Sequence, residues 1–447
     1  MTKMKGFAIR GLVVAVATVL GWLGFTYGFS DQNIADEVQR NPVLALIGAR
    51  VIDGTGTAPI DDAILLIEDG RIAAIGPVGS LTIPDSATLI DISDKTIIPG
   101  LINAHGHVTV DDNTQLPIRE HMEQRLEIYA DYGVTAVVSL GSRGELDELE
   151  GIKIRDERRV ETPTGARFFT GGQNARGETE AEARASVAHL ADIGVDIIKY
   201  HINGGPNDMS SPIYGALVDE AKKHGLLTAV HIYNLSDAKG AIEKGTNIIA
   251  HSVRDQNVDI ELIDEMIRFD VGYIPTLTRD LSVFIYENEP DFFEDPFFLR
   301  GLDVYGTELE LLREPAQQEA IRNNPRAQEI KIALDQALRN LKLLVDSGVT
   351  IAMGSDSGSA NDWGRWQGYF EHVEMEMMVE AGMTEMQVLV AATGNAARIM
   401  NLDEIGTLQP GKWADFLVLN ADPIADIRNT REIDSVWIAG NRRALVR

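Results

Sequence analysis

PGLINAHGHV, residues 99–108, is an apolar run that ends on two histidines, His105 and His107. In a strand, residues two apart point to the same side, so both rings aim at one place. Four more polar residues end similar apolar runs further along. They are Lys199 in GVDIIKYHINGG, His231 in LLTAVHIYN, His251 in NIIAHS and Asp356 in VTIAMGSDSG. Neutral imidazoles and anionic oxygens that converge on a point are what a divalent metal requires. The chain has only 9 histidines, and four of them sit in this one context.

The region around these runs alternates strand and helix eight times. The strands read at 96–105, 134–140, 166–172, 196–201, 226–233, 247–252, 271–278 and 349–356. Such near-continuous apolar runs suit parallel strands buried on both faces. Between them lie amphipathic segments, for example Ile118, Met122, Leu126 and Tyr129 at helical spacing. Gly133, Gly194, Gly225, Gly245, Gly272 and Gly348 come just before strands, where helix-to-strand turns need them. The expected fold class is α/β, a closed (β/α)8 TIM barrel whose strand C-termini open onto one face. An open doubly wound sheet lacks support, because no GxGxxG follows the first strand and no phosphate loop appears.

Both flanks of the barrel read as β. The stretches 44–54, 63–76 and 87–100 alternate apolar residues between Gly and Asp turns, and 414–422 and 434–446 repeat the style. A small β-sandwich built from both ends is expected. The divisions are 1–30 leader, 31–43 linker, 44–98 sandwich, 99–400 barrel and 401–447 the rest of the sandwich. In the leader Lys3, Lys5 and Arg10 precede an uncharged, mainly apolar run from Gly11 to Ser30. That is the pattern of a signal peptide or a single membrane anchor, and either places the barrel outside the cytoplasm, in a periplasm for example. The linker SDQNIADEVQRNP is polar.

There is no cysteine, which excludes disulfides, thiolate ligands and a cysteine nucleophile. The net charge of −28 argues against nucleic acid and anionic membrane surfaces as partners, so membrane contact is expected only through the leader. A small-molecule substrate remains, with a homo-oligomer open.

The chain resembles the amidohydrolase superfamily, in particular its imidazolonepropionase-like branch. The resemblance rests on VIDGTG, EDGRIAAIG, PGLINAHGH and NAARIMNLDEIGTLQPGKWADFLVLNADP, and it covers nearly everything after residue 43. Gly106 stands where relatives often carry a larger residue, and Ala250 where some have Glu. His105, His107 and Asp356 then hold one metal, and His231 and His251 a second. The resemblance implies that Lys199 is carboxylated to a carbamate bridging two divalent ions, with zinc expected; an ion pair with Asp356 in a one-metal enzyme is the alternative. Superfamily deaminases usually place a Glu three residues after the fifth-strand histidine and lack the fourth-strand lysine. Here the residue is Asn234, so the resemblance points to hydrolysis of an amide or related acyl bond.

Asp356 is the expected general base for a water shared by the metals. His201, Tyr200 and Tyr233 flank the ligands, as oxyanion donors and substrate contacts or as barrel packing. Arg143, Arg254 and Arg279 follow the second, sixth and seventh strands, where a guanidinium can clamp a substrate carboxylate. That suits a dipeptide or an N-acyl amino acid. A lactonase or cyclic amidase using the same site, and a non-catalytic membrane-tethered binding protein, are the alternatives. Residues 279–328 form a long aromatic-rich connection, expected to be a lid or a dimer interface.

Overall fold

A computed structural model describes residues 43–110, 114–160, 163–205, 208–359 and 362–444. The leader and all but the last residue of the linker lie outside the described residues. Among the described residues no helix is long and apolar enough to cross a membrane.

The two β-rich ends share one eight-stranded sheet. Leu44–Val51 pairs antiparallel with Ile60–Glu68, which pairs with Arg71–Pro77. On its other edge Leu44–Val51 pairs first with Thr88–Asp91 and then with Thr96–Pro99. The changeover falls at Gly48, whose φ of +91° is open to glycine and whose added Cβ would meet the Ser93 hydroxyl at 2.4 Å. Thr96–Pro99 in turn pairs with Phe416–Leu419, followed by Ile433–Ile438 and Asn441–Arg442. Inward residues from both ends, including Leu46, Val51, Leu65, Ile97, Phe416, Val418 and Trp437, form a core of their own.

The barrel strands are Leu101–Gly106, Val134–Ser139, Arg167–Thr170, Ile197–His201, Leu227–His231, Ile248–Ala250 and Gly272–Ile274. All pairings among them are parallel. The expected first strand, 96–105, is divided at Gly100. Thr96–Pro99 belongs to the sheet, and only Leu101 onward enters the barrel. A Cβ on Gly100 would lie 2.0 Å from the Thr135 hydroxyl, so the chain turns where two elements touch. The eighth strand is reduced to one bridge, Ile351 to Tyr273. Backbone bonds still close the ring. Asp196 N donates to Thr170 O (2.8 Å) and Ala175 N to Lys199 O (2.8 Å), while Ala104 N donates to Met353 O (3.0 Å) and Asp356 N to His105 O (2.6 Å). The interior is filled largely by small side chains, Ala104, Ala136, Ala229 and Ala352 among them, with Ile102, Ile197, Ile248 and Ile274. This is the (β/α)8 barrel with a β domain.

The aromatic connection packs most of its rings inward. It folds into short helices, among them Pro296–Leu299 and Leu302–Arg313. Tyr286, Phe293, Phe297, Phe298 and Tyr305 are buried. They pack with Trp366 and Tyr369, for example Phe298 to Trp366 at 5.2 Å and Tyr305 to Trp366 at 5.0 Å between centroids. These rings belong to the main hydrophobic core, with Phe284 and Phe292 partly buried against it.

Candidate metal centre

All six expected ligands reach one cavity of about 290 Å³ at the C-terminal mouth of the barrel, together with His201, Arg143, Arg279 and Arg365. His105 is the penultimate residue of the first strand and His107 follows it. His107 Nε2 lies 2.7 Å and His105 Nε2 3.3 Å from Asp356 Oδ1. These three ligand atoms lie within 4.8 Å of one another. The His251 ring is 4.6 Å from His105 and 4.3 Å from His231, and His231 stacks on His201 at 4.5 Å. Lys199 Nζ sits 3.3 Å from His105 Nε2. No carboxylate lies within ion-pair distance of that ammonium among the described residues, so Lys199 is not held by Asp356.

Strain marks the same rim. His251 (φ +71°), Thr276 (φ +49°) and Asp356 (φ +57°) follow the sixth, seventh and eighth strands in left-handed backbone. Each such residue costs about 1–3 kcal/mol, and non-glycine cases cluster at functional sites. One strained residue holds another, since His251 Nδ1 meets Thr276 Oγ1 at 2.6 Å.

Electrostatics favour ligation. Burial, reinforced by Lys199 and neighbouring rings, holds His105, His231 and His251 well below the usual imidazole range. His201 falls to about 3 for the same reasons. Neutral rings keep lone pairs for a metal. His107 Nε2 faces Asp356 Oδ1 at 2.7 Å and its Nδ1 faces the Gly141 carbonyl at 3.3 Å. Burial works to raise Asp356, but Arg365 and the two rings outweigh it and the carboxylate stays ionised. Two imidazole nitrogens and an ionised carboxylate oxygen within 4.8 Å of one another are a donor set that fits a divalent ion. Burial brings Lys199 down to about 7, with Asp356 opposing and Arg279 assisting.

Three expected residues are elsewhere. Tyr200 alternates with the inward Lys199, so it points into the helix layer, where its hydroxyl meets Thr246 and its ring stacks on Tyr214. Arg254 is buried against Asp280 (2.6 and 2.7 Å) and the Ile232 carbonyl, and has no guanidinium face left for substrate. Tyr233 lies over that guanidinium at 4.8 Å and does not line the cavity. Arg143 is exposed at the rim, with Nη1 3.5 Å from the Val110 carbonyl. Arg279 is half-buried at the cavity wall, bound to Asp280 (2.7 Å) and 3.8 Å from Asp356 Oδ2.

Sequence reading missed Arg365, whose Nη1 donates to Asp356 Oδ2 at 2.8 Å. It also missed two glutamates on helix Tyr369–Glu380. Glu371 accepts from Asn103, Ser355 and Ser357, and thereby grips both neighbours of Asp356. Glu374 accepts from Leu277 N, Thr278 N and the Thr278 hydroxyl, just before Arg279. The available signal was their place in YFEHVEMEMM, where acids interrupt an otherwise buried helix.

The amidohydrolase family profile matches residues 96–443. The chain is 24% identical over 407 residues to a 5-methylthioadenosine/S-adenosylhomocysteine deaminase of Moorella thermoacetica, covering 81% of this chain and 82% of that one. It is 24% identical to an imidazolonepropionase of Saccharopolyspora erythraea, covering 86% and 93%. The structure of a putative prolidase from Bifidobacterium longum superposes with a TM-score of 0.71 at 25% identity, over 90% of this chain and 94% of the other. With barrel, β domain and ligand-lined mouth in place, the chain belongs to the amidohydrolase family.

Proposed function

We propose that this protein is a divalent-metal hydrolase, loaded with two zinc ions, that cleaves the amide bond of a dipeptide or N-acyl amino acid. The observation that carries the reading is the shared cavity, where the histidines, Lys199 and Asp356 meet Arg143, Arg279 and Arg365. A bound metal supplies an acidified water and a polarised substrate carbonyl. His105, His107 and Asp356 would hold one ion, and His231 and His251 the other. Lys199 would join them as a carbamate, formed when its neutral amine attacks carbon dioxide and releases a proton. Asp356 takes the proton of the attacking water and passes it to the leaving nitrogen. Arg365, bonded to the other Asp356 oxygen, keeps that carboxylate turned toward the ligands. His201, held neutral, offers one N–H to the developing oxyanion. Arg143 and Arg279 receive the substrate carboxylate. The leader, residues 1–30, exports the enzyme or anchors it facing out of the cytoplasm.

A deaminase is the second reading, favoured by the Moorella relative. Against it, Asn234 stands three residues after His231 and its amide donates to Asp237 at 2.8 Å, so no acid fills that place. Metal analysis with a panel of Xaa-Pro dipeptides, N-acyl amino acids, lactones and 5-methylthioadenosine separates the readings. Turnover of free-acid amides, with Arg279→Met costing about tenfold or more in kcat/KM for acids and little for their methyl esters, supports the proposal. Metal-free activity that survives chelation, or turnover of the nucleoside alone, overturns it.

A further inference from the structure

The opposite end of the barrel holds a second concave site that the reaction does not use. Its cavity of about 450 Å³ is lined by the starts of the third, fourth and fifth strands (Arg167, Asp196, Leu227), by the end of helix Glu145–Val160 and by residues 400–405 with Trp413. That volume is in the range of small-ligand pockets. The strands run from here toward the metal centre, so the two sites lie a strand length apart, on the order of 15 Å.

Charge is the first observation. Four arginines line the cavity, Arg155, Arg158, Arg159 and Arg167, against three carboxylates, in a chain of net charge −28. Arg167 is committed to Asp415 through two bonds. Arg155 is held by Asp156 and Asp196, and Arg159 also by Asp196. Glu404 is taken by Arg71. Arg158 bonds only the Ala166 carbonyl, at 3.1 Å, and has no carboxylate within ion-pair distance among the described residues. Burial presses its guanidinium toward lower basicity, against the longer-range pull of Glu123 and Glu127.

The second observation is the floor. Phe169, Leu227, Leu402 and Trp413 are partly buried and pack against the apolar interior of the barrel, with Met400 and Ile405 beside them. A guanidinium with no carboxylate in ion-pair contact among the described residues, lining the same cavity as an aromatic and aliphatic floor, is complementary to an amphipathic anion. We propose that this cavity binds a small carboxylate with an aromatic or aliphatic body, its acid on Arg158 and its body on Phe169, Leu227 and Leu402.

The test is calorimetric titration of the full, metal-loaded protein with 4-phenylbutyrate, with 4-phenylbutan-1-ol as the uncharged control. Saturable binding by the acid, weakened roughly tenfold or more by Arg158→Met and unchanged by Asp356→Asn, supports the proposal. Arg158→Lys keeps the charge without the two-pronged geometry; it serves if the Met variant melts early, and an intermediate loss is expected. No saturation up to about 10 mM, equal binding of the alcohol, or binding abolished by Asp356→Asn and untouched at Arg158 overturns it.

Discussion

Asp356→Asn isolates the base from the ligand. Asp356 Oδ1 faces His107 Nε2 at 2.7 Å and His105 Nε2 at 3.3 Å, while Oδ2 accepts from Arg365 at 2.8 Å. An amide has one acceptor and one donor end. If its oxygen stays on the ligand side, its NH2 confronts the Arg365 donor; if it turns round, NH2 confronts the cation. Either orientation leaves one charged group without its partner, a loss of about 1–3 kcal/mol to the local structure. The first orientation keeps the metal and removes the proton acceptor. Loss of a positioned base typically costs about 10²–10⁴ in rate, or roughly 3–5 kcal/mol of barrel-mouth chemistry. The assay is kcat on a free-acid dipeptide, normalised to metal measured in the same sample, with circular dichroism as the check on fold. A drop of at least about a hundredfold at full occupancy is expected. Turnover within a few-fold of the parent, with metal retained, would show that another group carries the proton and that Asp356 is only a ligand.

Glu374→Ala strands three donors, at about 1–3 kcal/mol each. Urea unfolding should show a loss of roughly 3 kcal/mol or more, and KM should rise more than kcat because Arg279 loses its footing; an unchanged midpoint would dismiss the glutamate's role. His372 is fully buried between Thr430 and the Tyr132 carbonyl, and burial depresses it to about 3. Its unfolded form binds a proton first, near 6.5, so it contributes stability above that pH which is lost as pH falls from 6.5 toward 3. The stability gap between parent and His372→Gln should therefore shrink about tenfold in unfolding constant per pH unit across that window, and a gap constant with pH would refute the assignment. Fusion of residues 1–45 to a reporter active only outside the cytoplasm should give activity; expressed but silent fusion would remove the export proposal.

What the sequence made legible was whatever period and position determine. The six candidate ligands lie near or just past strand ends, and strand ends of a parallel barrel meet, so their convergence followed from order alone. Period two should also have excluded Tyr200, since it neighbours the inward Lys199. Arg254 illustrates what position cannot supply: it leaves the correct face of the barrel, but Asp280 captures it inside the wall. Arg365 lies nine residues past its partner in a loop with no period, and only folding brings it to Asp356. In the aromatic segment composition tells how much apolar surface exists, and Trp366, which packs against Phe298, comes from a later part of the chain. Gly100 hid a change of sheet inside one apolar run, because both sides of the break are equally buried.

The pairing of Ile97 with Val418 imposes an order on synthesis. The hairpin from Leu44 to Pro77 can form as soon as it is made, but the edge offered by Thr96–Pro99 stays open until the barrel has been translated. During that interval a short, largely apolar strand edge is available to any passing strand, the situation that leads to aggregation. The long sequence separation also makes this pairing a late and slow contact. Folding of the sheet thus acts as a completion step: the last strands seal an edge that the first ones left exposed, and chains cut short before Phe416–Leu419 should gather in the insoluble fraction even with every metal ligand present.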